Sequence, residues 1–232
     1  MTEGDFRKSA ISAGVLFIVA DLVAFLSFPF LASVSSANYL SSVSANAGLV
    51  STGALLLFIG GAAAIGIAAS LYPVLRRFNQ GLAIGAVGFR IVEAVFYFAG
   101  VTCLLLLVTL SNQFVSAGSP DPSSFQTLGP LLMSSYHWTF NVVSLLAFSI
   151  GCLLYYVVFY RERLVPRWLS GWGMVGSILT MASALLALFG VIGAGSIEQG
   201  LLNMPILPQE LVLAVWLIFK GFAMPGAKAV PQ

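Results

Sequence analysis

Charged residues are scarce in this sequence: Asp, Glu, Lys and Arg make up 8% of its 232 residues, whereas hydrophobic residues make up 59%. A soluble globule needs polar side chains to cover its surface, but lipid tails can surround an apolar surface. The composition therefore predicts a polytopic membrane protein whose main partner is the lipid bilayer. The net charge of +2 arises from residues beside the membrane and gives no reason to expect nucleic acid as a partner.

Histidine and cysteine are also scarce, with one His and two Cys in the whole chain. A lone His137 with the scattered Cys103 and Cys152 falls short of a structural zinc site. One His cannot supply bis-histidine haem ligation either. We expect the two Cys to be unpaired and to pack as small hydrophobic residues. The sequence predicts no metal and no cofactor.

Long apolar runs occupy most of the chain, and each is long enough to cross a hydrocarbon core of roughly 30 Å. We expect an all-α bundle of six transmembrane helices that forms a single membrane domain over residues 1–232. The outer gaps near 33–47, 111–127 and 191–205 contain no Lys or Arg and are rich in Ser, Gly, Asn and Pro, as surface loops are. The predicted spans are 10–32, 48–71, 82–110, 128–160, 169–190 and 206–224.

Basic residues predict the orientation of the six spans, because Lys and Arg concentrate in cytoplasmic loops. Nine of the ten lie in alternate gaps or at the same end of the neighbouring spans, which places both termini in the cytoplasm, and the tenth, Arg90, lies deeper inside a span. We expect the first span to remain in the protein, because its apolar run exceeds the roughly 7–15 residues of a signal core and Asp21 interrupts it. The nine residues are Arg7, Lys8, Arg76, Arg77, Arg161, Arg163, Arg167, Lys220 and Lys228.

The third predicted span carries ionisable residues at membrane depth. Arg90, Glu93 and Tyr97 follow one another at i, i+3 and i+7, so they share one helical face. A buried carboxylate is costly unless it is paired or protonated, and Arg90 is the obvious partner for Glu93. One interpretation is a structural ion pair that orients the third helix. The other is a functional site, since intramembrane ionisable residues are functional candidates by default.

A further acid, Asp21, lies near the middle of the first span at comparable depth. If Asp21 meets Arg90 and Glu93, the group has one surplus negative charge. Either one carboxyl then holds a proton, or a cationic group comes from elsewhere. This combination predicts a binding site for a proton or a small cationic ligand.

Three polar residues in the fourth and sixth spans are weaker candidates. His137 and Asn141, at i and i+4, share a helical stripe, and each is interpreted either as a packing residue or as part of a site. Glu210 follows Pro208 in the first turn of the sixth span, which is typical of an acid that meets the helix dipole near water. Glu210 is equally a candidate for ligand binding or proton coupling.

Small residues cluster at Gly60, Gly61 and Gly66 and again near Gly173 and Gly176. Such clusters allow helices to approach closely, either inside the bundle or between copies of the chain in a homo-oligomer. A faint internal repeat of helical hairpins equates Arg90 with Thr180 and Glu93 with Ser183, although few identities support it.

Short motifs in the chain resemble a family of bacterial membrane proteins grouped as domain of unknown function 4386. The resemblance spans most of the chain and implies a six-helix protein of the bacterial inner membrane, but it implies no activity. It rests on Leu71-Tyr72-Pro73 with Leu75-Arg76, Phe89-Arg90 with Glu93-Ala94, Pro166-Arg167 with Leu169 and Gly171, and Glu210 with Trp216-Leu217 and Lys220-Gly221.

Three functional hypotheses follow from these residues. The first is a carrier or receptor that binds a small amphipathic or cationic molecule in a helix-lined cavity, with Asp21 and Glu93 as its acids. The second is a scaffold or accessory subunit with a dry core, in which the same charges pair for packing. The third is a lipid-modifying enzyme that uses His137 with Glu93 or Glu210 as an acid–base pair. No nucleophile motif supports the third, so enzymatic activity is the weakest hypothesis.

Overall fold

Helices form nearly all of this protein. The computed structural model describes residues 3–117 and 122–223, and no residue in those ranges lies in a strand. Six helical stretches are long and apolar enough to cross a membrane, which confirms the predicted all-α class. The helices are α1 (Glu3–Phe30), α2 (Tyr39–Ala45), α3 (Ala47–Leu75), α4 (Gln80–Ser116), α5 (Pro122–Trp138), α6 (Ser144–Arg161), α7 (Arg167–Leu188), α8 (Ile197–Asn203) and α9 (Ile206–Phe219).

Two of the expected outer loops contain short helices instead. A 3-10 turn and α2 occupy the gap predicted at 33–47, and α8, over Ile197–Asn203, occupies about half of the gap predicted at 191–205. Ser196 caps α8, because its side-chain oxygen accepts a hydrogen bond of 3.3 Å from the backbone N–H of Gln199. Ser and Asn are common in helix caps as well as in loops, so composition did not separate the two.

The fourth and sixth spans also differ in detail from the prediction. The fourth, predicted over 128–160, is one helical stretch over Ser124–Arg161, and a π-helical turn at Thr139–Val143 lies between α5 and α6. The sixth was expected to begin at 206, whereas the membrane-length stretch runs over Ile197–Phe219 and includes α8. The end predicted for that span at 224, together with Lys228, lies outside the described residues.

The six spans form a closed ring. Helix α1 packs against α3, α3 against α4, α4 against α6, α6 against α7, α7 against α9, and α9 returns to α1. At the closing contact α1 and α9 approach closely, since a Cβ added at Gly14 would lie 2.7 Å from the carbonyl oxygen of Ala214. Consecutive spans are therefore neighbours, and each span has one side toward the centre of the ring.

The basic gaps meet at one end of the bundle. Arg7 donates a hydrogen bond of 2.7 Å to the carbonyl oxygen of Ile218, which joins the start of α1 to the end of α9. Arg77 lies over the ring of Phe6, at 4.2 Å from its centroid. The backbone N–H of Ala223 donates to the carbonyl of Leu164 at 2.8 Å. These contacts bring the α3–α4 and α6–α7 turns to the same end as the start of α1.

Candidate functional site

Arg90 and Glu93 form an ion pair within α4. One turn of helix separates them, and Arg90 Nη1 lies 3.0 Å from Glu93 Oε2 with both side chains about 95% buried or more. The prediction that these two residues share a face and pair is therefore confirmed. A buried pair of this kind removes most of the cost of placing each charge inside the protein.

The rest of the Arg90 side chain is enclosed by α6. Arg90 Nη1 lies 3.6 Å from Cys152 Sγ, and the guanidinium carbon lies 5.1 Å from the centroid of the Phe148 ring. Gly151 makes this approach possible, because a Cβ there would lie 3.3 Å from Cγ and Cδ of Arg90. None of these α6 neighbours carries a negative charge, so Glu93 supplies the direct counter-charge.

Two more acids meet beside this ion pair. The carboxyl of Asp21 on α1 lies within hydrogen-bond reach of the carboxyl of Glu210 on α9. Both carboxyls are close enough to Arg90 to interact with its positive charge. An ionised carboxylate only accepts hydrogen bonds, so a hydrogen bond between two carboxyls requires a proton on one of them. The expected meeting of Asp21 with the third span thus has a fourth member, Glu210.

Glu210 does not occupy the position that a helix-start acid would have. It lies past the first turn of α9, and α8 precedes that helix, so the residue falls well inside the membrane-length stretch. Only 7% of the Glu210 side chain is exposed, so the residue is buried and is not a surface acid. The interpretation of Glu210 as an acid near water was wrong because α8 extends the span beyond its predicted start.

These charged residues line a cavity of about 140 Å³ at the centre of the ring. Every span contributes to its wall, and Arg90 is the one basic residue among the described residues that line it. Apolar side chains of α1, α3 and α6 form much of the remaining surface. One lining residue from each span is Asp21 (α1), Ala64 (α3), Glu93 (α4), Phe148 (α6), Thr180 (α7) and Glu210 (α9).

Several polar atoms in this wall have no hydrogen-bond partner among the described residues. They are Arg90 Nε and Thr180 Oγ1, together with Asp21 Oδ2 and Glu210 Oε1, which have no partner beyond the contact between the two carboxyls, and all are buried. Most buried polar groups in proteins are hydrogen-bonded, so unpartnered atoms that gather around one cavity need an explanation. A polar or charged occupant would supply these partners.

The predicted candidates fall into two separate groups. Asp21, Arg90, Glu93, Tyr97 and Glu210 all line the central cavity, whereas His137 and Asn141 do not. Tyr97 packs its ring against Phe140, with centroids 4.5 Å apart.

His137 and Asn141 belong to a polar cluster around the π-helical turn. Asn141 Nδ2 lies 3.1 Å from His137 Nδ1, and the carbonyl oxygen of Asn141 accepts a hydrogen bond of 2.7 Å from Gln199 Nε2. Gln199 Oε1 in turn accepts from the backbone N–H of Gly195 at 2.6 Å. These hydrogen bonds hold α8 and the turn before it against the fourth span, so the role of the cluster is structural. The pairing of His137 with Glu93 or Glu210 that the enzyme hypothesis requires is not seen.

The sequence patterns did not indicate two of the polar residues that line the cavity. Thr180 appeared in those patterns only as the repeat counterpart of Arg90, and Asn203 fell in a gap expected to be a loop. Asn203 Oδ1 accepts a hydrogen bond of 2.6 Å from Ser183 Oγ. The spacing of Thr180 and Ser183 in an apolar span is the signal that could have indicated a polar face on α7.

The comparisons with known proteins identify a family. A model of the family described as Domain of unknown function (DUF4386) matches residues 12–221. The chain belongs to this family. The matched region covers all or most of every span and includes all charged residues of the cavity. Neither the curated proteins nor the solved structures give a match to the chain. Within the described residues, no group of three or more His, Cys, Asp or Glu side chains has an arrangement that could hold a metal ion.

Proposed function

We propose that this member of the DUF4386 family binds a small amphipathic cation in its central cavity, as a carrier or a receptor. The observation that carries the proposal is the charge of the wall. Three carboxyls, those of Asp21, Glu93 and Glu210, surround the cavity with a single guanidinium, that of Arg90. The Arg90–Glu93 pair is neutral, so the negative charge left over belongs to Asp21 and Glu210.

The size and polarity of the cavity support an amphipathic occupant. Its volume of about 140 Å³ is close to that of an engineered protein cavity of about 150 Å³ that binds benzene. The acids lie on α1, α4 and α9, whereas Phe17, Ile67 and Leu145 supply apolar wall. An ammonium group would meet the acids, and a short hydrocarbon tail would meet the apolar side chains.

The scaffold hypothesis has less support. It requires a dry core in which the polar groups satisfy one another, but Arg90 Nε and Thr180 Oγ1 have no hydrogen-bond partner among the described residues, and both residues line a cavity. The small residues proposed for a partner interface pack inside the chain. A Cβ at Gly61 would lie 2.9 Å from the Phe98 ring, and one at Gly176 would lie 2.9 Å from Ile206.

We infer that both termini face the cytoplasm of a bacterial inner membrane. The supporting observation is that Arg7, Arg77 and the α6–α7 turn meet at one end of the bundle. Basic residues at one end of a multi-pass protein favour the cytoplasmic side for that end.

Binding is tested with butylammonium on the full chain in detergent. Butylammonium combines a short tail with an ammonium group that stays charged at neutral pH, as lysine does with its pKa of about 10.4. We expect the midpoint of thermal unfolding to rise with butylammonium concentration, since a ligand at about 100 times its Kd adds roughly 2.7 kcal/mol of stability. The neutral analogue 1-butanol should give a much smaller rise.

Charge-neutral variants assign the effect to the cavity. The double variant Asp21→Asn with Glu210→Gln removes the surplus charge while it keeps the Arg90–Glu93 pair, and it should lose the response to butylammonium. Glu198→Gln removes one negative charge from the exposed start of α8 and should keep the response. An equal response in the double variant and in the parent would contradict the proposal.

Vesicle experiments separate a carrier from a receptor. The protein is reconstituted into liposomes, and the uptake of labelled butylammonium is followed over time. Uptake above that of protein-free liposomes indicates a carrier. Binding in detergent without uptake indicates a receptor.

A further inference from the structure

We propose that the cavity exchanges a proton for a cation, and that the doubly protonated Asp21–Glu210 carboxyl pair supplies the proton. This inference rests on the proposed function, because it concerns what leaves the site when the cation enters. It adds an activity, proton-coupled exchange, that binding alone does not imply.

The carboxyl pair itself supplies the proton. Asp21 and Glu210 come from the first and last spans, and their side chains lie within hydrogen-bond reach of each other. A carboxylate has no hydrogen to donate, so this contact requires one protonated carboxyl whose O–H donates to the other. Two ionised carboxylates at this separation would repel each other. The pair therefore holds one proton and one negative charge.

The other groups that face the pair leave this charge uncompensated. From α4, Arg90 and Glu93 form a neutral ion pair, and Tyr97 is a neutral phenol. The lining residues that α3, α7 and α8 contribute within the described part of the chain, among them Thr180 and Asn203, have no ionisable side chain.

Helix α6 adds three neutral groups. Cys152, Tyr155 and Tyr156 are fully buried and lie near enough to Glu210 to interact with it electrostatically. Burial disfavours the charged form of a thiol or a phenol, so these groups add no charge. With one proton on the carboxyl pair, the site has a net charge of −1.

A monovalent cation and a second proton then compete for the same charge. When both carboxyls are protonated, the site is neutral and a cation adds an uncompensated positive charge. When a cation enters, its N–H groups donate to the carboxylate oxygens, and the second proton passes to the solvent. The carboxyl oxygens of Asp21 and Glu210 are acceptors for such donors. One cation in and one proton out leaves the charge of the site unchanged.

The position of the pair gives both species a route. Asp21 is only partly buried, and Leu207, which lines the cavity from α9, is 40% exposed. We expect a proton or a small amphipathic cation to reach the pair between α1 and the start of α9.

The test counts protons released on binding. Butylammonium is titrated into the full-length protein in detergent, by calorimetry in two buffers with different ionisation enthalpies. Mass action predicts that the apparent affinity falls about tenfold for each pH unit in the acid range where a proton is displaced. In that range we expect about one proton to be released per cation bound.

Single substitutions locate the proton. In Glu210→Gln the amide N–H donates to Asp21 in place of the carboxyl proton, so the pH range in which binding releases a proton should shift to lower pH than in the parent. Its affinity above that range should fall, because an amide oxygen replaces a carboxylate. Asp21→Asn should behave in the same way, and Glu198→Gln should behave as the parent does.

The outcomes separate the two proposals. Binding of butylammonium by the parent with no proton released at any pH overturns the exchange and leaves the proposed function standing. Release of a proton by both single variants over the same pH range as in the parent also overturns it, because the proton then comes from another group. If butylammonium does not bind the parent at any pH, the proposed function fails and the exchange fails with it. Should a variant not fold, the proton count and the pH dependence of the parent decide the matter.

Discussion

The Asp21 carboxyl on the first span lies within hydrogen-bond reach of the Glu210 carboxyl on the last. The first and last spans close the ring, so this contact joins them near the middle of their membrane-length stretches. Two acidic side chains in contact each make ionisation of the other harder, and such pairs are concentrated at functional sites. The pair, with Arg90 and Glu93 beside it, leads to the predictions that follow.

The ion pair should stabilise the fold mainly by avoiding an unpaired charge. Arg90→Gln leaves Glu93 buried without its partner, and we expect a loss of roughly 3–5 kcal/mol in the free energy of unfolding. The double variant Arg90→Gln with Glu93→Gln should recover part of this loss, since neither charge then remains. Denaturant unfolding of the three proteins measures the effect. Arg76→Gln, at an exposed position, is the matched control. A double variant as unstable as the single one would contradict this explanation.

Gly151 should be required for the approach of Arg90 to α6. A Cβ at this position would lie 3.3 Å from the Arg90 side chain, so Gly151→Leu should displace Arg90 and cost about 1–3 kcal/mol of stability. The measurement is the shift in the unfolding midpoint. Gly88→Leu, on an open surface of α4 with nothing within 4 Å, should change the midpoint little. Equal shifts for the two variants would show that helix propensity rather than packing explains the effect.

Filling the cavity should abolish binding without unfolding the protein. Ala64 on α3 lines the cavity, and Ala64→Leu would place a larger apolar side chain in it. We expect the response of the unfolding midpoint to butylammonium to disappear, while the midpoint without ligand stays near that of the parent. Ala62→Leu changes an exposed residue of the same helix and should preserve the response. A normal response in Ala64→Leu would place the binding site elsewhere.

The hydrogen bonds of Gln199 should hold α8 against the fourth span. Gln199→Ala removes the donor to the Asn141 carbonyl and the acceptor of the Gly195 N–H, both in a buried setting. We expect a loss of roughly 1–3 kcal/mol and faster amide hydrogen exchange in 195–203. Gln113→Ala, at an exposed site, serves as the comparison. Butylammonium binding should persist in Gln199→Ala, because this cluster is separate from the cavity.

The sequence predicted much of the site, residue by residue, but not its full membership. Arg90, Glu93 and Tyr97 could be placed together because helical periodicity alone brings i, i+3 and i+7 onto one face. Asp21 was matched to them by depth, and its rotation about α1 was open. The sequence does not place Glu210 correctly, because the long apolar run predicts a start of the sixth span at 206 and α8 is not recognised in the residues before it.

His137 and Asn141 show that sequence spacing indicates contacts within one helix but not contacts between distant segments. Their i, i+4 spacing correctly indicated that the two side chains interact, as the 3.1 Å contact demonstrates. No pattern in the sequence indicated that a π-helical turn would free the Asn141 carbonyl for Gln199, a residue from another span. Contacts between distant segments depend on how helices rotate and cross, and local spacing has no information about either.

The sequence by itself determined the class of the protein, the number of spans and the ion pair within α4, because these depend on hydropathy, on charge and on the period of one helix. Only the tertiary structure decided that the six spans close into a ring, that Asp21 meets Glu210, and that a cavity remains between them. The physical reason is packing. Which faces of the six apolar helices meet is set by side-chain fit across the whole bundle, and in lipid no hydrophobic driving force selects those faces in advance.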